Sequence, residues 1–197
     1  MYHFQKQTIM RSGIKIAVGL MMLASVIAGY APEPDLLVEF TCVSNVLGGL
    51  LLIADGIRNF KGKTVPNRLY LNVCSGILFV FLVCLGSLSG MYHMNYSGAF
   101  FFLHAVNPVL IILCYIILYK DDTKRTFKRL AITLALILTY LLFDFIFGNC
   151  RGYFVYQFCR PEDLNLLIIL IIALSVYLLF LLFGLLLLAL NRLAHRK

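Results

Sequence analysis

Six stretches of this chain are too apolar for water, and each is long enough to cross a lipid bilayer, which leaves few folds open. They run roughly over Ile14–Ala31, Leu36–Ile57, Leu69–Met91, Gly98–Tyr119, Leu130–Phe147 and Leu164–Leu190. A helix crosses the hydrocarbon with about 17–25 residues at ~1.5 Å rise each. Lipid offers no hydrogen-bond partners, so only helices and closed barrels can span it. The stretches are continuous apolar runs and lack the alternation of a membrane barrel. The expected fold is all-α: a polytopic bundle of six transmembrane helices, one domain over residues 1–197. Composition agrees, with 61% hydrophobic and 13% charged residues; a soluble domain is nearer half apolar and a quarter charged. The last stretch is the longest and is expected to tilt or to project beyond the lipid.

The net charge of +8 could suit a nucleic-acid binder, but its distribution says otherwise. Lysine and arginine cluster before the first span (Lys6, Arg11, Lys15), between the second and third (Arg58, Lys61, Lys63, Arg68), between the fourth and fifth (Lys120, Lys124, Arg125, Lys128, Arg129) and after the sixth (Arg192, Arg196, Lys197). Only Arg151 and Arg160 fall on the other side. By the positive-inside rule this alternation places both termini in the cytoplasm and the chain in the plasma membrane, with lipids and not nucleic acid as partners. A signal peptide cut after Ala31 would leave five spans; the first run is long enough to span and is read as a span. Cys42, Cys74, Cys84 and Cys114 lie within spans and read as small apolar fillers. Cys150 and Cys159 share the extracytoplasmic connection between the last two spans, where a disulfide is expected if that compartment is oxidising.

Polar residues within spans are costly and mark function by default. Here they gather in the outer half. The second span runs inward and carries Glu39, Thr41, Ser44 and Asn45, with Thr41 ~8 Å below its outer end. The fourth also runs inward and carries His104, ~9 Å down, then Asn107 and Pro108. The fifth runs outward and brings Tyr140 and Asp144 to that level; the third brings Ser87 and Ser89. Thr41, Ser44, Asn45, Gly48 and Leu52 share one helix face, as do His104, Asn107, Pro108 and Ile111, and Thr133, Ile137, Tyr140 and Asp144. Three stripes at one depth predict a polar pocket opening outward or sideways. The inner halves of these helices read as apolar support. Taken singly, each polar residue also has a structural reading: a back-bonded Thr41 or Ser44, or Asn45 and Asn107 as glue between helices.

Hydroxyl, imidazole and carboxylate are the parts of nucleophilic hydrolysis. A threonine hydroxyl is inert until a base removes its proton, and imidazole has a suitable pKa. A carboxylate, Asp144 or Glu39, would orient the imidazole, and Asn45 or Asn107 would donate to the oxyanion. This chemistry needs no metal or organic cofactor. Haem would need paired intramembrane histidines; of His3, His93, His104 and His195 only His104 is well inside a span. The run Gly86-Ser87-Leu88-Ser89-Gly90 has Leu88 where G-x-S-x-G requires the nucleophile.

Two runs resemble a known family. Phe40-Thr41-Cys42-Val43-Ser44-Asn45-Val46-Leu47 resembles the F-T-x-x-S-N-x-L signature of a bacterial family of six-helix membrane proteins, and Leu103 to Leu110 resembles its L-H-x-x-x-P-L-L run. Tyr140 to Gly148 looks like the end of its fifth helix. That family is similar to the androgen-induced protein and the androgen-dependent TFPI-regulating protein, multi-pass hydrolases of fatty acid esters of hydroxy fatty acids. The resemblance covers roughly residues 36–163 and implies a threonine nucleophile at Thr41 and a histidine partner at His104. After Gly148 the chain departs from the pattern, with Cys150 and Cys159 in place of a proline- and tyrosine-rich run. The resulting expectation is an intramembrane threonine hydrolase acting on a lipid ester from the outer leaflet: Thr41 and His104 catalytic, Asp144 assisting, and Glu39, Ser44, Asn45, Asn107 and Tyr140 lining the substrate. The rival is a non-catalytic membrane protein that binds or transports a lipid or small solute.

Overall fold

The computed structural model describes residues 2–83, 86, 98–121, 127–155 and 161–196. Among these residues there are seven helices and no strand. They are α1 (Tyr2–Tyr30), α2 (Phe40–Phe60), α3 (Asn67–Val83), α4 (Gly98–Leu118), α5 (Phe127–Thr133), α6 (Leu136–Arg151) and α7 (Leu166–Ala194). Among the described residues, each of the six apolar stretches is largely helical. The fifth is split into α5 and α6 by a break at Leu134 and Ala135. Four helices, α1, α2, α4 and α7, are long and apolar enough to cross a membrane.

The helix ends follow from local chemistry. Pro34 opens a short 3-10 turn, Pro34–Val38, and the extended backbone of Glu39 then turns the chain into α2. Past the end of α2, Gly62 has φ +66, a left-handed conformation that suits glycine. Gly152, at φ +78, ends α6 and donates its N–H to the Gly148 carbonyl at 2.8 Å. Asn165 caps α7 by accepting the Ile168 N–H at 2.9 Å.

α3 is the central helix, in contact with α2, α4, α5, α6 and α7. Its Tyr70, Leu71, Cys74 and Ile77 are fully buried with Leu52 of α2, Ile111 and Tyr115 of α4, and Phe180 of α7. α1 adds Met22 to this core and packs chiefly against α2, and the closeness of that pair comes from small residues. A Cβ added to Gly19 would sit 2.6 Å from the Gly49 carbonyl oxygen, and one added to Gly49 would sit 2.9 Å from that of Gly19. Backbone meets backbone there, the close approach that glycine permits between helices in lipid.

The outward surface is apolar. Leu166, Leu167, Leu170, Ile171, Leu174, Leu178 and Leu182 of α7 are all exposed, and only 11% of its most apolar window is buried. Water-soluble monomers do not carry an apolar surface of this extent; it is compatible with a protein embedded in lipid. α1 and the end of α7 both reach Tyr119: Lys15 of α1 lies 5.8 Å from the Tyr119 ring, and the His195 ring nitrogen Nε2 donates to the Tyr119 carbonyl at 2.9 Å.

The glycine contact gives a paired test. Gly49→Leu is expected to force α1 from α2 and to cost about 1–3 kcal/mol. Gly13→Ala, where nothing lies within 4 Å of the added Cβ, is expected to hold or raise stability. Thermal unfolding in detergent, followed by far-UV circular dichroism, reads both.

Candidate functional site

The His104 region begins with a defect in α4. An α-helical Asn107 would donate its N–H to Leu103, but here it reaches the Phe102 carbonyl, five residues back, and Phe102–Val106 forms a π-helical turn. Pro108 follows with no N–H to offer. The Leu103 carbonyl is thereby left without a donor from its own helix. Asn45 of α2 fills the gap: its Nδ2 donates to the Leu103 carbonyl at 3.2 Å and to the Thr41 carbonyl at 2.9 Å. Its Oδ1 accepts from Asn107 Nδ2 at 2.8 Å, and the same Nδ2 donates to Ser25 Oγ of α1 at 2.8 Å. Ser25 Oγ donates in turn to the Met22 carbonyl. Asn45 and Asn107 are fully buried, so one chain of hydrogen bonds ties α1, α2 and α4 at a single level.

His104 sits in the middle of the π turn, half-buried. Its Nδ1 lies 2.9 Å from the Phe100 carbonyl, and its ring packs on the Phe100 ring at 4.1 Å between centroids. A carbonyl oxygen only accepts, so Nδ1 carries the proton and Nε2 of the neutral ring carries the lone pair. Thr41 is buried in the first turn of α2, and its carbonyl also accepts from Ser44 Oγ at 3.2 Å. Through Asn45, the Thr41 backbone is tied to the residue preceding His104.

The other expected residues lie apart from this pair. Among the described residues no carboxylate bonds His104; the Phe100 carbonyl holds the position expected for Asp144 or Glu39. Asp144 accepts the Val155 N–H at 2.8 Å and so pins the segment after α6. Glu39 accepts from Tyr30 Oη at 2.8 Å, joining the ends of α1 and α2. Tyr140 Oη donates to the Val38 carbonyl at 3.0 Å while its ring packs on Phe40 at 4.7 Å. The amides of Asn45 and Asn107 have both Nδ2 hydrogens engaged, which leaves neither a donor for an oxyanion. Cys150 is exposed on the last turn of α6. Cys159, and with it the disulfide, lies outside the described residues, as do Ser87, Ser89 and the side chain of Thr133.

Ser25 escaped sequence reading because a lone serine in an apolar helix more often bonds its own backbone, which this one also does. The larger omission is at the opposite end of the bundle. The expectation of apolar support there is wrong. Lys15, fully buried, forms an ion pair with the buried Asp55. Asp55 also accepts from Tyr70 Oη at 3.0 Å and the Val65 N–H at 2.9 Å. Nearby, Asn191 of α7 donates to the Tyr115 and Tyr119 carbonyls, both at 2.7 Å, and accepts the Asp121 N–H at 3.0 Å. Tyr115 Oη donates to Asp121 at 2.6 Å, and Tyr119 Oη to Asn67 Oδ1 at 2.6 Å. A charge count takes Lys15 as one more basic residue of the N-terminus; the signal against that is a lysine and an aspartate inside two apolar runs at the same depth. Above this layer lies a cleft of ≈ 300 Å³ lined by Arg11, Lys15, Asn67, Tyr119 and Lys120 among others.

No protein-family model, curated protein or solved structure matches the chain. Among the described residues no group of three His, Cys, Asp or Glu side chains is placed to hold a metal ion.

The Asn45 contacts generate a test of their own. Asn45→Ala strips the Leu103 carbonyl of its donor and removes one of the two partners of Asn107 Nδ2, and is expected to cost about 1–3 kcal/mol. Ser44→Ala removes one of two side-chain donors to the Thr41 carbonyl, whose helical backbone donor remains, and is expected to cost less than half as much. Thermal unfolding of the two variants in one detergent compares them.

Proposed function

We propose that the chain crosses the plasma membrane six times with both termini in the cytoplasm, and that it is an intramembrane ester hydrolase with Thr41 as nucleophile and His104 as general base. The basic clusters between alternate spans support the orientation. One observation carries the chemistry: Asn45 ties Thr41 to the π turn that bears His104, and the Phe100 carbonyl fixes the tautomer that leaves Nε2 basic. π turns inside α-helices concentrate at functional sites. The two family-like runs, Phe40 to Leu47 and Leu103 to Leu110, are the segments joined by this contact.

In the proposed reaction Thr41 Oγ1 attacks the ester carbonyl as its proton passes to His104 Nε2. The tetrahedral intermediate collapses, the C–O bond to the leaving alkoxide breaks, and His104 returns the proton to that oxygen. Water then attacks the acyl-threonine, His104 takes one of its protons, and the carboxylic acid leaves as Oγ1 is reprotonated. Phe100 takes the orienting role that a carboxylate has in a serine triad. Asn45 and Asn107 form the frame of the site and do not bind the oxyanion. The substrate is a lipid or lipid-like ester from the outer leaflet, similar to a fatty acid ester of a hydroxy fatty acid.

The second reading, a pocket that binds a lipid or small solute without chemistry, is favoured by the absence of a carboxylate on His104 among the described residues. One experiment separates the two. The purified chain is expected to react covalently with an alkyl fluorophosphonate probe, and Thr41→Ala and His104→Ala are each expected to abolish labelling. Undiminished labelling of Thr41→Ala would remove Thr41 as nucleophile, and an unlabelled wild type would favour the binding reading.

A further inference from the structure

The cleft beside Tyr119 has no part in the proposed hydrolysis, and its lining is rich in positive charge. Three cationic side chains face it, Arg11 and Lys15 from α1 and Lys120 after α4; among the described residues no carboxylate lines it, and Asp121 accepts from the lining residue Asn67 at 3.4 Å. Lys15 is balanced from below by Asp55. Arg11 and Lys120 are exposed, and neither forms an ion pair among the described residues. Among the described residues, therefore, two positive charges without an ion-pair partner face one concavity. Asn59, Thr64 and Asn67 add polar side chains at its wall. Its ≈ 300 Å³ lies at the small end of ligand pockets, which span ~300–1,000 Å³.

We propose that this cleft binds a phosphate mono- or diester group. Arginine offers a planar fork to phosphate oxygens, lysine a compact point charge, and the two together are the usual recognition set for that group. A carboxylate would use the fork equally well; a phosphate group differs in its tetrahedral oxygens, which cations from two different elements can reach together, and a monoester adds a second negative charge. The phosphate group can come from a lipid headgroup or from a soluble molecule. Exposed Ile9, Met10 and Ile14 lie on the same helix as Arg11 and Lys15, and Leu118 lines the cleft, which gives acyl chains an apolar path beside the charges. Basic pockets between membrane helices are suited to anionic headgroups for the same reason.

The test uses the full chain in dodecylmaltoside. Thermal midpoints are measured against increasing dioleoylphosphatidylglycerol in mixed micelles, against dioleoylphosphatidylcholine as the zwitterionic control, and separately against inorganic phosphate. A ligand that binds the folded state alone raises the midpoint in proportion to saturation. Phosphatidylglycerol is expected to raise it saturably and more than phosphatidylcholine; a matching rise with inorganic phosphate identifies the soluble group as sufficient. Arg11→Gln with Lys120→Gln is expected to weaken apparent affinity about tenfold or more and to leave the ligand-free midpoint nearly unchanged, since both side chains are exposed. Thr64→Glu, which sets a carboxylate at the wall from an exposed loop, is expected to give the same loss and serves if the double variant does not fold. Absence of a rise with both phosphate probes, or a rise that survives these variants, overturns the proposal.

Discussion

A carbonyl that its own helix cannot satisfy organises one end of this protein. The proline at position 108 brings no N–H, and the Asn107 N–H is drawn to Phe102, so the Leu103 carbonyl must find a donor elsewhere. Water is the usual remedy and the hydrocarbon offers none. Asn45 supplies the donor from α2, and its remaining groups reach Thr41 and Asn107. A local defect in α4 thus becomes the joint between three helices. It also holds the widened turn that carries His104 against α2.

The opposite end is held by charge. A buried lysine alone costs far more than a helix bundle can supply, and Asp55 is what keeps Lys15 inside. The aspartate is itself saturated by Tyr70 and the Val65 N–H, so the pair is not left with idle lone pairs facing lipid. Asn191, Tyr115, Tyr119 and Asp121 extend the layer to α4 and α7. Between the two polar levels the contacts are apolar: Leu52, Ile77, Ile111 and Phe180 at the centre, and the Gly19–Gly49 approach at the edge.

The helical segments were legible because apolar length is a strong signal: the stretches over 36–57 and 98–119 fall within about four residues of α2 and the extent of α4. Periodicity was as informative, since Thr41, Ser44, Asn45, Gly48 and Leu52 are all buried on α2. Partners were not legible. Asp144 has the depth and face to reach a histidine but bonds the Val155 N–H, because a chain leaving α6 needs an acceptor nearby. The Asn45 and Asn107 donors were assigned to an oxyanion, and sequence gives no sign that α4 widens at Phe102 and leaves a carbonyl to be filled. Lys15 was misread for a different reason: a charge count treats every lysine near a terminus as solvated.

The Asn45–Leu103 contact underlies both the coupling of the helices and the proposed pairing of Thr41 with His104, and it can be measured directly. In a membrane-reconstituted sample carrying ¹⁵N-asparagine and ¹³C-carbonyl leucine, recoupled magic-angle-spinning NMR reports side-chain nitrogens close to leucine carbonyl carbons. A hydrogen bond of this kind sets the nitrogen and the carbon about 4 Å apart. The structure requires a cross-peak at that distance from the Asn45 side chain, and its loss in Asn45→Ala. A spectrum with no such cross-peak, from a folded sample, would contradict the joint on which the site is built.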